Sequence, residues 1–348
     1  RPLILISLLP SLFSCAAAAA AQPGFMGFGG FLSEAYAVSA DGSTVVGRVA
    51  SSGYEAFRWT AETGMVGLGT LPAGGSTTAY NISADGSVIV GINNNGGFDH
   101  EAFRWTEAEG MIGLGDLPGG LLFSEARGVS GDGSVIVGIG HTATGPEAFR
   151  WTALDGMVGL GDLDGGDFES EAYGISDDGL VIVGMGQTAA GSDAFRWTEA
   201  GGMQALGTPP TMPEPDNAGY AATPDGALIV GASRDTSGGI LEGFRWSEGE
   251  GLVALGDAFG GTVGSAMSRA LDVSADGSII VGDSSRSFFA PEASIWDATH
   301  GTRNLQDVLT TEYGFDLTGW TLQRATGVSA DGRTIVGYGV NPHGNREA

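Results

Sequence analysis

Seven aspartates, each followed by glycine, are the residues whose type and spacing first point to chemistry. They are Asp41, Asp85, Asp132, Asp178, Asp225, Asp276 and Asp331, at intervals of 44, 47, 46, 47, 51 and 55 residues. Carboxylates are hard oxygen donors, and a ring of them would suit calcium. Asp-Gly is also turn chemistry, in which the carboxylate accepts nearby backbone N–H bonds. Units of this length hold successive aspartates far apart, so the turn reading is preferred. A denser acidic stretch runs through 162–171. Within it Asp162, Asp164 and Asp167 are candidate calcium ligands, although their spacing does not match an EF-hand loop. No other cofactor is expected.

Two further patterns repeat with the same period. Glu55/Arg58, Glu101/Arg104, Glu147/Arg150, Asp193/Arg196 and Glu242/Arg245 sit in strands reading like Glu-Ala-Phe-Arg-Trp. Strand parity puts acid and guanidinium on opposite faces. Pairing between neighbouring sheets is therefore expected, with a polar glycan-binding face as the alternative. The sixth unit carries Ile295 in place of the Arg, so no ion pair is expected there. The aromatics of the same strands (Phe57/Trp59, Phe103/Trp105, Phe149/Trp151, Phe195/Trp197, Phe244/Trp246) recur too regularly for sugar platforms and are expected to pack between sheets.

Catalytic constellations are missing from the sequence. His100, His141, His300 and His343 are scattered among different units, and the one Cys is Cys15. There is no Gly-x-Ser-x-Gly elbow and no His-x-x-x-His pair. Two stretches break the repeat, 208–219 and 283–292. Irregular loops on a regular scaffold are where binding residues concentrate. In the second, Phe288 and Phe289 beside Arg286 have no counterpart in earlier units and form a candidate partner surface.

The elements that position these residues follow from the second unit. Residues 79–83 make a short strand, 84–87 a tight turn, and 88–91 a β-branched strand ending in Gly91. A polar loop leads to the alternating strand 101–106, and a further turn leads to 111–115. Short connections make these four strands antiparallel neighbours. The longer Leu-Pro-Gly-Gly links, as at 117–120, carry the chain to the next sheet. Four-stranded sheets repeated at 40–50 residues predict a β-propeller. Residues 304–313 depart from the pattern and read as a short helix with Leu305, Val308 and Leu309 on one face.

The ends set the expected count. Residues 24–30 copy the outermost strand of a unit, while the seventh unit stops at Arg346-Glu347-Ala348, before its own outer strand. The expectation is an all-β, seven-bladed β-propeller of four-stranded blades, closed by the N-terminal strand completing the last blade. An open stack of sheets is the alternative.

Composition bounds the function. The 348 residues carry 41 acidic side chains against 15 basic ones, for a net charge of −26. That charge repels a phosphate backbone, so nucleic acid is excluded as a partner. Residues 1–21 read as a front-truncated signal peptide, with an apolar stretch and an Ala-x-Ala end, and 22–348 as one repeat domain. The apolar stretch is too short and Pro-interrupted for a membrane span.

The units Glu147-Ala148-Phe149-Arg150-Trp151, Gly156-Met157-Val158-Gly159-Leu160-Gly161 and Val129-Ser130-Gly131-Asp132-Gly133 resemble the probable extracellular HAF repeat family of bacteria. So do Asp316–Leu322 and Asn341–Asn345. Here Glu mostly replaces the His of His-Ala-Phe. The likeness covers about residues 24–348 and implies export and a repeat fold, but no activity. The expected function is a secreted, non-enzymatic binding or scaffold protein. Its partner would be an unidentified protein or glycan at the cell surface. A carbohydrate-active enzyme with a site at one face of the propeller is the alternative.

Overall fold

The computed structural model describes residues 24–29, 32–51, 53–96, 99–208, 216–234, 241–259, 267–285 and 290–348. Strands β1 (Ser33–Val38), β2 (Thr44–Ala50), β3 (Tyr54–Thr60) and β4 (Gly64–Gly67) form the first antiparallel meander. The second is β5 (Ser76–Ile82), β6 (Ile89–Asn94), β7 (His100–Thr106) and β8 (Gly110–Gly113). The third is β9 (Gly119–Val129), β10 (Val135–Thr142), β11 (Pro146–Thr152) and β12 (Gly156–Gly159). A single parallel bridge, His100 to Phe123, joins the second and third into one sheet. Next come β13 (Gly165–Ile175), β14 (Ile182–Thr188), β15 (Gly191–Thr198) and β16 (Gly202–Ala205). They are followed by β17 (Asn217–Ala222), β18 (Leu228–Arg234), β19 (Leu241–Ser247) and β20 (Gly251–Ala254). Then come β21 (Met267–Val273), β22 (Ile280–Ser285), β23 (Glu292–Asp297) and β24 (Gly301–Asn304). After helix α1 (Leu305–Thr311), the last sheet is β25 (Thr321–Val328), β26 (Ile335–Val340) and β27 (Arg346–Glu347).

Each Asp-Gly turn is built the same way. In the second, Asp85 Oδ1 accepts the Ser83 hydroxyl at 2.6 Å and the Ser87 amide at 2.9 Å. Ser83 Oγ in turn accepts the Val88 amide at 3.0 Å, and Gly86 takes a positive φ of 74°. The same carboxylate-to-hydroxyl bond recurs from Asp41 to Asp331. The aspartates are turn residues, as their spacing predicts.

A β-bulge recurs as well. In β1 the pairing with β2 skips Tyr36, between Ala35 opposite Gly47 and Ala37 opposite Val46. The first strand of every other sheet skips the equivalent residue. The bulge drives a carbonyl onto the facing strand, and this explains the Val-Gly signature. A Cβ at Gly47 would lie 2.0 Å from Glu34 O, and one at Gly138 would lie 1.8 Å from Glu125 O. No side chain fits there.

The core lies between facing sheets. Phe57, Phe103, Phe149, Phe195 and Phe244 are fully buried, and each partner Trp packs half-buried beside them. Burying each Phe is worth about 1.5–3 kcal/mol. A polar stitch joins four of the sheets to the one before. Thr77 Oγ1 accepts the Ala56 amide at 2.9 Å and donates to Gly69 O at 3.0 Å. Ser124, Ser170 and Ser268 repeat it.

Residues 24–29 have no strand assignment, yet they lie along the last sheet. The Phe28 amide donates to Ala348 O at 3.0 Å, and the Phe28 ring stacks on Trp59 at 4.5 Å. Strand β1 packs against β25, β26 and β27. Helix α1 is capped by Asn304, whose side chain accepts the Asp307 amide, and buries Leu305 and Val308 against β23 and β25.

Two expectations are corrected. Three of the five strand arginines pair inside their own sheet, and among the described residues none forms the expected ion pair between sheets. Arg104 reaches Glu109 at 2.7 Å, Arg150 reaches Asp155 at 3.9 Å and Arg245 reaches Glu250 at 3.1 Å, each acid lying in the following hairpin turn. The turn is nearer than the next sheet, and the parity argument considered only residues on one strand. Nor is the sixth unit without an ion pair. Arg303 sits directly across from Ile295 and binds Asp297 at 2.7 Å. The cation has moved to the neighbouring strand.

Candidate functional site

The first strands of all seven sheets wall one cavity of about 250 Å³. The residue that each bulge frees from pairing lines it: Tyr36, Tyr80, Arg127, Tyr173, Tyr220, Leu271 and Thr326. Bulges re-aim side chains in this way. Four of the chain's seven tyrosines therefore converge on one space. Tyr173 and Tyr220 meet edge to face at 5.5 Å, and Arg127 lies over the Tyr173 ring at 5.0 Å.

One end of the cavity is a belt of ion pairs. Glu34 accepts Arg48 at 2.7 Å and Arg346 at 2.6 Å, and it also accepts the Tyr36 hydroxyl. Arg127 bridges Glu125 at 2.9 Å and Glu171 at 3.4 Å, while the Tyr173 hydroxyl donates to Glu171 at 2.8 Å. Asp283 lies between Arg269 at 2.9 Å and Arg324 at 3.4 Å. Burial raises the Glu34 carboxyl, but the Tyr36 and Arg346 hydrogen bonds and the Arg48 charge outweigh it and hold the group below the usual range.

The other end, beside the Asp-Gly turns, is rimmed by small residues. Backbone bonds run there from sheet to sheet: Ala40 N to Ala84 O, Ala84 N to Gly131 O, and Gly131 N to Asp177 O. Asp178 N to Pro224 O, Ala275 N to Ala330 O, and Ala330 N to Ala40 O continue the series. Pro224 has no N–H to pass on. Two carboxylates face the cavity here. Asp272 accepts the Val273 and Val328 amides, both at 2.8 Å, and so ties the sixth sheet to the seventh. Burial pushes its carboxyl up to about 7 against the effect of those two amides. Asp177 is raised too, by burial and then by the Asp178 charge.

The candidates read from sequence lie elsewhere. Asp162 is spent on backbone: its carboxylate accepts the Leu163, Glu169 and Gln187 amides at 2.8, 2.8 and 3.1 Å. Asp164 and Asp167 are exposed at the start of β13. Among the described residues no group of three or more metal-ligating side chains comes together. Arg286, Phe288 and Phe289 lie outside the described residues. Sequence reasoning missed the tyrosines. Their signal is a position that varies in chemistry, two residues before the Val-Ser or Ile-Ser (Ala222-Thr223 after Tyr220) that leads into each turn.

No family profile matches the chain. No curated protein matches it in sequence. Solved structures do match. The chain is similar to TolB from Acinetobacter baumannii over 80% of its own length and 66% of that chain, at 13% identity and a TM-score of 0.51. It is similar to Kuenenia stuttgartiensis hydrazine synthase over 95% of this chain and 97% of that one, at 14% identity and a TM-score of 0.51. Likeness to a puromycin hydrolase covers 91% of this chain and 51% of that one, at 15% identity and a TM-score of 0.58. The chain thus spans just under two thirds of the TolB chain and about half of the hydrolase. At such identities the likeness is one of fold, and the fold is a β-propeller. Among the described residues no helix is long and apolar enough to cross a membrane.

Proposed function

We propose that the chain is an exported binding or scaffold protein of the bacterial cell surface or extracellular matrix, built as a closed seven-bladed propeller and acting without catalysis. The closure reading rests on an equivalence. Ser33 accepts the Ala348 amide at 3.0 Å and donates to Gly29 O at 3.1 Å, just as Thr77 serves Ala56 and Gly69. Residues 24–29 then stand where the outer strand of the seventh blade belongs. Deleting 24–30 is expected to lower stability by several kcal/mol in a denaturant melt, the loss of a strand with its cooperative contacts. An unchanged melt would reject closure.

The function rests on one observation: a cavity walled by four tyrosines and Arg127, with no Ser, Cys or His among its described lining residues. Aromatic walls with a few converging polar groups suit binding. Export rests on the signal-like residues 1–21 and on the resemblance to HAF repeats. Arg286, Phe288 and Phe289 remain candidates for a second contact, with a protein partner. The test is a polysaccharide panel assayed for depolymerisation by the purified protein. No turnover is expected. Turnover abolished by Asp272→Asn would make the chain a carbohydrate-active enzyme, with Asp272 as its acid.

A further inference from the structure

Carboxylates at the two ends of the cavity are provided for differently. Glu34, Glu125, Glu171 and Asp283 each contact at least one arginine. Asp177 and Asp272 line the cavity with no cationic partner among the described residues. Their surroundings add to the deficit. Six Asp-Gly carboxylates on the same side (Asp41, Asp85, Asp132, Asp225, Asp276 and Asp331) have lowered pKa values, held down chiefly by Ser or Thr hydroxyls and turn amides, and are ionised. The one ion pair there among the described residues is Arg333 with Asp331, at 3.8 Å.

Above the two carboxylates stands the aromatic wall. Tyr36 and Tyr173 spend their hydroxyls on Glu34 and Glu171. Tyr220, deep in the wall, donates to no protein acceptor among the described residues, and burial pushes its phenol up. Arg127 does not make the wall cationic, because it lies between two glutamates and that triad carries a net negative charge.

We propose that the aspartate end of this cavity binds an organic ammonium ion, held by Asp272 and Asp177 against the faces of Tyr80 and Tyr220. Aromatic faces and carboxylates together favour such cations, and desolvation strengthens the attraction. Two carboxylates, one already bonded to two amides, are too few for a calcium shell of six to eight oxygens. A positively charged ligand is also what a protein of charge −26 concentrates at its surface. The proposal rests on the binding-protein reading above.

Isothermal titration calorimetry at low ionic strength and pH 8 tests it, with n-butylammonium and tetramethylammonium as probes and glucose, acetate and calcium as controls. Both ammonium ions are expected to bind. Asp272→Asn should weaken both at least tenfold, with the melting curve showing that the variant is folded. Tyr220→Leu, which removes an aromatic face from the cavity, should weaken both ammonium ions several-fold. No heat from either ammonium ion, equal binding by Asp272→Asn, or calcium or glucose binding in their place would overturn the proposal. Depolymerisation in the polysaccharide panel would sink the non-enzymatic reading while leaving ammonium binding measurable. Silence in both assays would sink the ligand alone.

Discussion

The two ends of the cavity place acids in the same scaffold and treat them in opposite ways. At the Glu34–Asp283 end, five arginines stand among four carboxylates, and these come from a chain with only 15 basic residues. At the Asp177–Asp272 end, backbone amides alone answer Asp272, and no cation among the described residues answers either carboxylate. Amides hold a carboxylate in place without neutralising it. The first end is therefore locked by its own charges, and the second keeps an electrostatic demand that protein groups leave unmet. A fastening and a receptor differ in this way even when both are built of aspartate and glutamate.

Two substitutions bear on that contrast. Arg127→Met would strip the shared cation from Glu125 and Glu171 and the cover from Tyr173. Orphaning buried carboxylates costs about 3–5 kcal/mol, and partial exposure of this site brings the expected loss to about 2–3 kcal/mol in a urea melt. A loss below about 0.5 kcal/mol would mean that the belt is ornamental and the contrast empty.

The smaller effect lies at the other end and shows as a slope. Asp272 has a folded pKa of about 7 against an ordinary value of 3.8. Between those values the native state holds a proton that the unfolded chain has released. Stability from this group is therefore full below pH 4 and falls as pH rises toward 7. Asp272→Asn should remove that fall; its single amide oxygen keeps only one of the two backbone bonds, so the variant should be less stable than the parent at pH 4, with the gap closing toward pH 8. Thermal melts from pH 4 to 8 check it. Parallel curves for the two proteins would show that Asp272 is matched by a cation after all.

The parts of this molecule legible in its sequence are those imposed on every unit. Asp85 with Gly86 and the Phe103/Trp105 pair could be assigned because the turn and the sheet interface require the same chemistry each time. Helix α1 was legible from its apolar face at Leu305 and Val308. The cavity was not. Strict alternation assigns each strand residue to one of two faces, and the bulge at Tyr36 or Tyr173 breaks alternation at the residue that matters. The arginine pairing failed for a related reason: Arg104 finds Glu109 through a hairpin, a neighbour that single-strand parity does not consider. Each bulge does leave a trace, the obligatory glycine at Gly47 or Gly138, but by itself that glycine reads as one more strand end.

The bulge also separates two kinds of constraint that usually fall on one residue. Geometry is discharged by the glycine across the strand pair, which admits no side chain, and the protruding residue is then nearly free of it. Tyr80, Arg127, Leu271 and Thr326 differ in size, charge and polarity, yet occupy the same place in the same backbone. The scaffold thus behaves as a socketed array. Each socket accepts a new side chain without renegotiating the sheet around it, so ligand preference can drift in single steps while the architecture stays put.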